Sequence, residues 1–164
     1  MENDTTSAPK PQLPKPSAEH RLLEVFIGKW HAEGTSYADG QQVNDPLASA
    51  VPWTSDETYE WLPGDFFVLH RWDAMAGERV FKGTEIIGYD MARGAYFTRL
   101  FDNAGNHPDY RAQVKENVWT FTETATRATV TVSDDGNSMR FNWEWQKVGS
   151  SWLPLCDRVA TRVK

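Results

Sequence analysis

The chain has 164 residues and a formal charge of −6, long enough for one domain with a real core and of the wrong sign for a phosphate-rich partner. No run of about 18 apolar residues is present, and Met1–Asp4 carries acids where a signal peptide needs an apolar stretch. The single cysteine, Cys156, has no internal disulfide partner, so the expected setting is a reducing cytoplasm with neither nucleic acid nor membrane as partner.

Residues 1–16 hold Pro9, Pro11, Pro14 and Pro16 among Lys, Ser, Thr and Asn, which forbids helix and predicts a solvated, extended tail. One domain is therefore expected over residues 17–164. Ser17 offers an N-cap, Leu22, Leu23, Phe26 and Ile27 follow at helical spacing, and Gly28 supplies a stop. That predicts a helix of about ten residues, too short to stand alone and obliged to pack on something.

From Trp30 onward the period is two. Strands are predicted at residues 30–37, 52–62, 66–74, 79–89 and 95–102, then at 107–115, 118–124, 126–133, 138–147 and 151–163. The turns are as clear as the strands: Pro63-Gly64, Ala76-Gly77, Arg93-Gly94, Asn103-Ala104-Gly105-Asn106, Asp134-Asp135-Gly136-Asn137 and Gly149-Ser150. Short links make antiparallel neighbours, and a meander of about ten strands tends to close because closure removes the exposed edges. The fold class is thus all-β, an antiparallel up-and-down barrel of about ten strands with one short N-terminal helix.

Phe26-x-Gly28-x-Trp30 after a short helix resembles the opening of calycin-type barrels, the lipocalins and their relatives. In such barrels the Trp sits at the closed end near an Arg of the last strand. The resemblance therefore implies structural roles for Gly28 and Trp30 with Arg158 or, preferably, Arg162. The runs Glu57–Phe67 and Gly83–Asp90, with Ser151-Trp152 near the end, look like an uncharacterised bacterial set of lipocalin-like domains, over about residues 20–163. The layout is also similar to nitrobindin-type haem barrels. These use a late histidine as iron ligand, whereas the last histidine here is His107, so no cofactor is expected in that mode.

If the apolar face of each strand points inward, the polar residues on that face mark the site. Glu57 lies between Trp53 and Tyr59, His70 between Val68 and Trp72, Glu85 alternates with Ile87, and Asp157 lies between Leu155 and Val159. Glu57, Tyr59, His70, Trp72, Glu85, Trp143 and Asp157 are therefore the expected ligand-binding set, with His70 within hydrogen-bond reach of an acid. A buried carboxylate is costly unless paired, so the bland reading is that these acids pair with Arg or hydroxyls and fix the geometry of the barrel. The four His show no metal-ligand spacing, so no metal is expected. No nucleophile elbow, phosphate loop or dinucleotide fingerprint is present.

Three functions follow in order. The first is a non-enzymatic binder of a small apolar or aromatic molecule with one polar anchor. The second is a small barrel enzyme of cyclase, hydratase or decarboxylase type, with Glu57, Tyr59 and His70 as general acid and base. The third is a barrel filled by its own side chains that works as an interaction module, as in a homodimer.

Overall fold

The computed structural model describes residues 12–147 and 149–164. The expected tail of residues 1–16 falls largely on residues 1–11, outside the described residues. A single α-helical turn, α1 (Ala18–Arg21), leads into a 3-10 helix at Leu22–Phe26. Ten strands follow: β1 (Gly28–Ser36), β2 (Val51–Trp61), β3 (Phe67–Ala76), β4 (Arg79–Asp90), β5 (Ala95–Asp102), β6 (Asp109–Lys115), β7 (Val118–Thr122), β8 (Thr126–Val132), β9 (Ser138–Trp145) and β10 (Leu153–Arg162). Each pairs antiparallel with the next, and β1 pairs with β10 to close the barrel. Among the described residues no helix is long and apolar enough to cross a membrane.

Alternation makes the inside and the outside. Along β3, Val68, His70, Trp72, Ala74 and Ala76 are buried, while Phe67, Arg71, Asp73 and Met75 between them are exposed. The same period runs through β2, whose inner face carries Trp53, Ser55, Glu57 and Tyr59.

The helical segment is tighter than the spacing predicts. Leu23 and Phe26 enter the core, but Leu22, expected on the same face, is 48% exposed. The reason is the 3-10 winding, which stacks residues three apart and so narrows the buried stripe to Leu23 and Phe26. Ile27 is already extended, and Gly28, at φ +132°, is the first residue of β1 rather than only a helix stop.

This segment seals one end of the barrel. Phe26 packs on Trp119 and Tyr59, with ring centroids 5.0 and 5.8 Å apart, and the Tyr96 hydroxyl donates to Glu19 O at 2.8 Å. Trp30 is fully buried, and its Nε1 donates to Phe26 O at 2.8 Å. The Arg162 guanidinium lies 4.2 Å from the centre of the Trp30 ring. It donates to Ile27 O, to Val25 O at 3.3 Å and to Gly136 O at 3.1 Å. Arg162 thus satisfies carbonyls that the end of a helix leaves without partners. Gly28 leaves room for it, since a Cβ there would stand 2.6 Å from the guanidinium.

At the other end lie the loop 37–50, the β3–β4 turn, the loops 103–108 and 123–125, and residues 146–147 and 149–152 between β9 and β10. The long loop 37–50 is tied across the rim by Arg79 Nη1 donating to Asp39 at 2.6 Å. The barrel is therefore plugged at its helix end and entered from its loop end.

Candidate functional site

A cavity of about 680 Å³ runs down from the loop end. It is not filled by side chains, so the third reading, a solid barrel, does not describe this fold. Trp53, Trp72, Phe81, Tyr110, Phe141 and Trp143 are among its wall residues, with Phe26 at the base. Gly83 helps to shape that wall: a Cβ there would stand 2.0 Å from Trp72, so only glycine lets the indole lie flat against β4.

The polar groups cluster on one side. Glu57 is 2% exposed on β2 and sits behind the cavity surface. Its carboxylate meets three hydrogen-bonding partners and one guanidinium. Ser55 Oγ donates to Oε1 at 2.7 Å, and the Tyr59 hydroxyl donates to Oε2 at 3.1 Å. His70 Nε2 approaches Oε2 at 3.2 Å, and Arg158 Nη2 lies 3.4 Å from Oε1. His70 turns its other nitrogen, Nδ1, to Glu85 Oε2 at 3.0 Å, and its ring stacks on Tyr59 with centroids 3.9 Å apart. Trp53 Nε1 donates to Ser55 Oγ at 3.1 Å and extends the chain toward the mouth.

The charges follow from these contacts. Burial pushes the Glu57 carboxyl up, but the Arg158 guanidinium and the donors His70 and Ser55 outweigh burial and hold it well below the ordinary carboxylate range. Burial alone would keep His70 neutral, yet its bonds to Glu57 and Glu85 raise its pKa above the usual value. With a carboxylate on each ring nitrogen, the protonated imidazole is the form that can donate to both. Burial, reinforced by the Glu57 charge, pushes the Tyr59 hydroxyl well above its usual range, so it stays a donor. Burial likewise raises the Cys156 thiol, which keeps it out of its nucleophilic form.

The structure brings together Glu57, Tyr59, His70 and Glu85 as one bonded cluster, and sets Trp72 and Trp143 in the same cavity wall. It does not bring Asp157 there. Cys156 and Arg158 line the cavity, while Asp157 points outward and accepts from Asn142 Nδ2 at 2.9 Å on an exposed face. The cause is a bulge between Pro154 and Cys156, which places Leu155 and Cys156 both on the inner side. Parity counted from Leu155 is therefore wrong by one at every later position.

The same slip hides Arg158, assigned above to the closed end. It stands in the cavity, 4.3 Å over Phe141 and 5.2 Å from the Trp53 ring, and only Arg162 reaches Trp30. Ser55 also escapes the reading by residues, although it shares the face of Trp53, Glu57 and Tyr59; a small hydroxyl between large rings carries little signal of its own.

His70 gives one nitrogen to each carboxylate, so the three do not converge on a point as metal ligands must. Among the described residues no group of His, Cys, Asp and Glu side chains does so.

The barrel is similar to two solved structures. Rv2717c from M. tuberculosis superposes with a TM-score of 0.65 at 12% identity, over 90% of this chain and 99% of that one. The S-type phycobiliprotein lyase CPES from Guillardia theta superposes with a TM-score of 0.52 at 11% identity, over 90% of this chain and 94% of that one. No curated protein matches the sequence. The model of one family, described as a protein of unknown function (DUF1579), matches residues 15–150. With the helix, the plugged end and the polar cluster nearly all inside that match, the chain belongs to the DUF1579 family.

Proposed function

We propose that the protein binds a small, largely apolar or aromatic molecule inside the barrel, with the polar cluster as its anchor, in the cytoplasm. The observation that carries this reading is the cavity itself: about 680 Å³ lined by nine Phe, Tyr and Trp side chains, with buried charges gathered on one side. The similarity to a phycobiliprotein lyase lends the barrel a precedent for work on other molecules, and at 11% identity it lends no more than that.

The enzymatic alternative asks for a carboxyl poised near neutrality beside His70. Glu57 has the opposite tuning: the Arg158 charge and the donors His70 and Ser55 hold it low, in the manner of a structural counter-ion. Binding is therefore the preferred reading.

The test is native mass spectrometry of the protein purified from its own host, with 1-anilinonaphthalene-8-sulfonate as a second probe. A fixed mass increment that disappears on unfolding, or a saturable one-to-one site for the dye that the natural ligand displaces, is expected. The absence of both overturns the proposal.

A further inference from the structure

The polar cluster is unevenly satisfied, and the imbalance has a sign. Glu57 is crowded, with Ser55, Tyr59, His70 and Arg158 all directed at its two oxygens. Glu85 holds His70. Arg158, by contrast, carries five N–H groups and has one anionic neighbour among the described residues, Glu57 Oε1 at 3.4 Å, an oxygen already engaged by Ser55 at 2.7 Å. Its Nε is buried with no partner. The remaining contacts of the guanidinium are ring faces, Phe141 and Trp53, and the thiol of Cys156, which is a weak acceptor. Only 11% of the side chain is exposed, and it lines the cavity.

The other buried side-chain atoms without partners in the cavity wall are Nε1 of Trp72 and Nε1 of Trp143. All three are donors. These three nitrogens are shut off from the cavity by their own surroundings, so the part of Arg158 that an occupant meets is the exposed end of its guanidinium, which lines the cavity. The planar fork of Arg158, sandwiched by aromatic rings, matches two oxygens in one plane.

From this we infer the chemical class of the occupant: a flat apolar molecule that bears an oxygen acceptor, a carboxylate first and a carbonyl second, seated with that group on Arg158. This rests on the binding function proposed above and sharpens it. The anchor is Arg158, with Glu57 behind it as its counter-ion and His70 bonded to the far oxygen of Glu57. An amine-bearing ligand would have to turn away from Arg158 to Glu85, the carboxylate in the lining, whose Oε2 is already engaged by His70.

A matched series of probes tests the inference: 2-naphthoate, 2-acetonaphthone, naphthalene and 2-naphthylmethylammonium, titrated by tryptophan fluorescence and calorimetry. The expected order of affinity is naphthoate, ketone, naphthalene, ammonium, with about ten- to a hundredfold between naphthoate and naphthalene, the range for a charge-assisted hydrogen bond. R158M alone strands Glu57, so the double variant E57Q/R158M, which removes both charges together, is measured beside R158K. Both fold if the pair is only an anchor. The double variant is expected to bind naphthoate no better than naphthalene, whatever its affinity for naphthalene itself. R158K keeps the charge without the fork, and is expected to retain part of the preference. Ammonium binding more tightly than naphthoate, or a preference for naphthoate that survives in the double variant, overturns the inference. Equal affinity for all four probes also overturns it and leaves the binding function standing, whereas binding of none of them overturns both.

Discussion

At the scale of single residues, Glu57 is the point on which the site turns. It is a fully buried carboxylate whose charge is shared among Ser55, Tyr59, His70 and Arg158. Glu57→Ala removes the acceptor for all four and strands the Arg158 charge, so a loss of about 3–5 kcal/mol is expected in urea unfolding, the range for breaking a buried pair. A loss under about 1 kcal/mol would mean that water already screens the pair. His70 adds a pH dependence with a definite sign. Its pKa is raised on folding above the ordinary 6.5, so the stability it contributes is complete below about pH 6.5 and is lost as the pH rises through the folded value. Glu57 contributes in the other direction, but only below the ordinary carboxyl pKa of 4.5, where falling pH begins to remove its contribution. Thermal midpoints should therefore fall from pH 6.5 toward 9, and His70→Gln, which titrates no proton there, should flatten that fall. His31, exposed and bonded to Asp56 at 2.8 Å, is raised as well, so His31→Gln is the control. Equal slopes in wild type and His70→Gln would show that His70 is not held as a cation.

At the scale of elements, the strands were legible because period two and turn chemistry agree. All ten predicted strands exist, and their ends differ from the predicted ones by a few residues. Two elements depart from the sequence pattern, each for a local reason. A 3.6 period predicts Leu22 in the buried stripe, but the second half of the helical segment is wound as 3-10, so Leu22 falls outside it. In β10, a bulge breaks the alternation and puts Arg158 in the cavity where strict alternation predicts Asp157. Nothing in Leu153-Pro154-Leu155-Cys156 announces the extra residue except the proline, a residue that sheets admit at edges and bulges. By contrast, the face of β3 was sound from Val68 to Trp72 despite Phe66-Phe67-Val68-Leu69 being apolar throughout, because Arg71 and Asp73 fix which side is wet. At the junction of helix and barrel, Trp30 joins both: its ring is covered by Arg162, and its nitrogen holds Phe26 O. Trp30→Ala should cost about 3–5 kcal/mol in denaturant unfolding, as for other large-to-small core changes. A cost below about 1 kcal/mol would mean that the closed end collapses around the gap, and that the Gly-x-Trp pattern has no structural weight here.

At the scale of the whole molecule, closure and plugging are separate devices. The ladder between β1 and β10, from Trp30 with Arg162 to Ser36 with Cys156, removes the sheet edges. It leaves two open ends, and the segment from Ser17 to Ile27 covers one of them. That segment makes no strand pairing, so its contribution comes from what it buries: Leu23 and Phe26 sit in the core with Tyr59, Tyr96 and Trp119 around them. Two large apolar side chains contribute about 3–6 kcal/mol together. Arg162 and Tyr96 would also lose the carbonyls of Val25, Ile27 and Glu19 that they now hold. Against a total stability of about 5–15 kcal/mol, removal of the plug is a major loss even though every strand remains. Two truncations separate the plug from the proline-rich residues that precede it. A chain that begins at Ser17 should unfold at the same urea midpoint as the full chain, because residues 12–15, just ahead of it, are exposed. A chain that begins at Gly28 should unfold at a clearly lower midpoint, or precipitate, with the base of the barrel open to water. If the Gly28 chain matches the full one, the barrel does not need its plug and the cavity is open at both ends. If instead the Ser17 chain loses stability, residues 1–16 are part of the folded domain and not a tail.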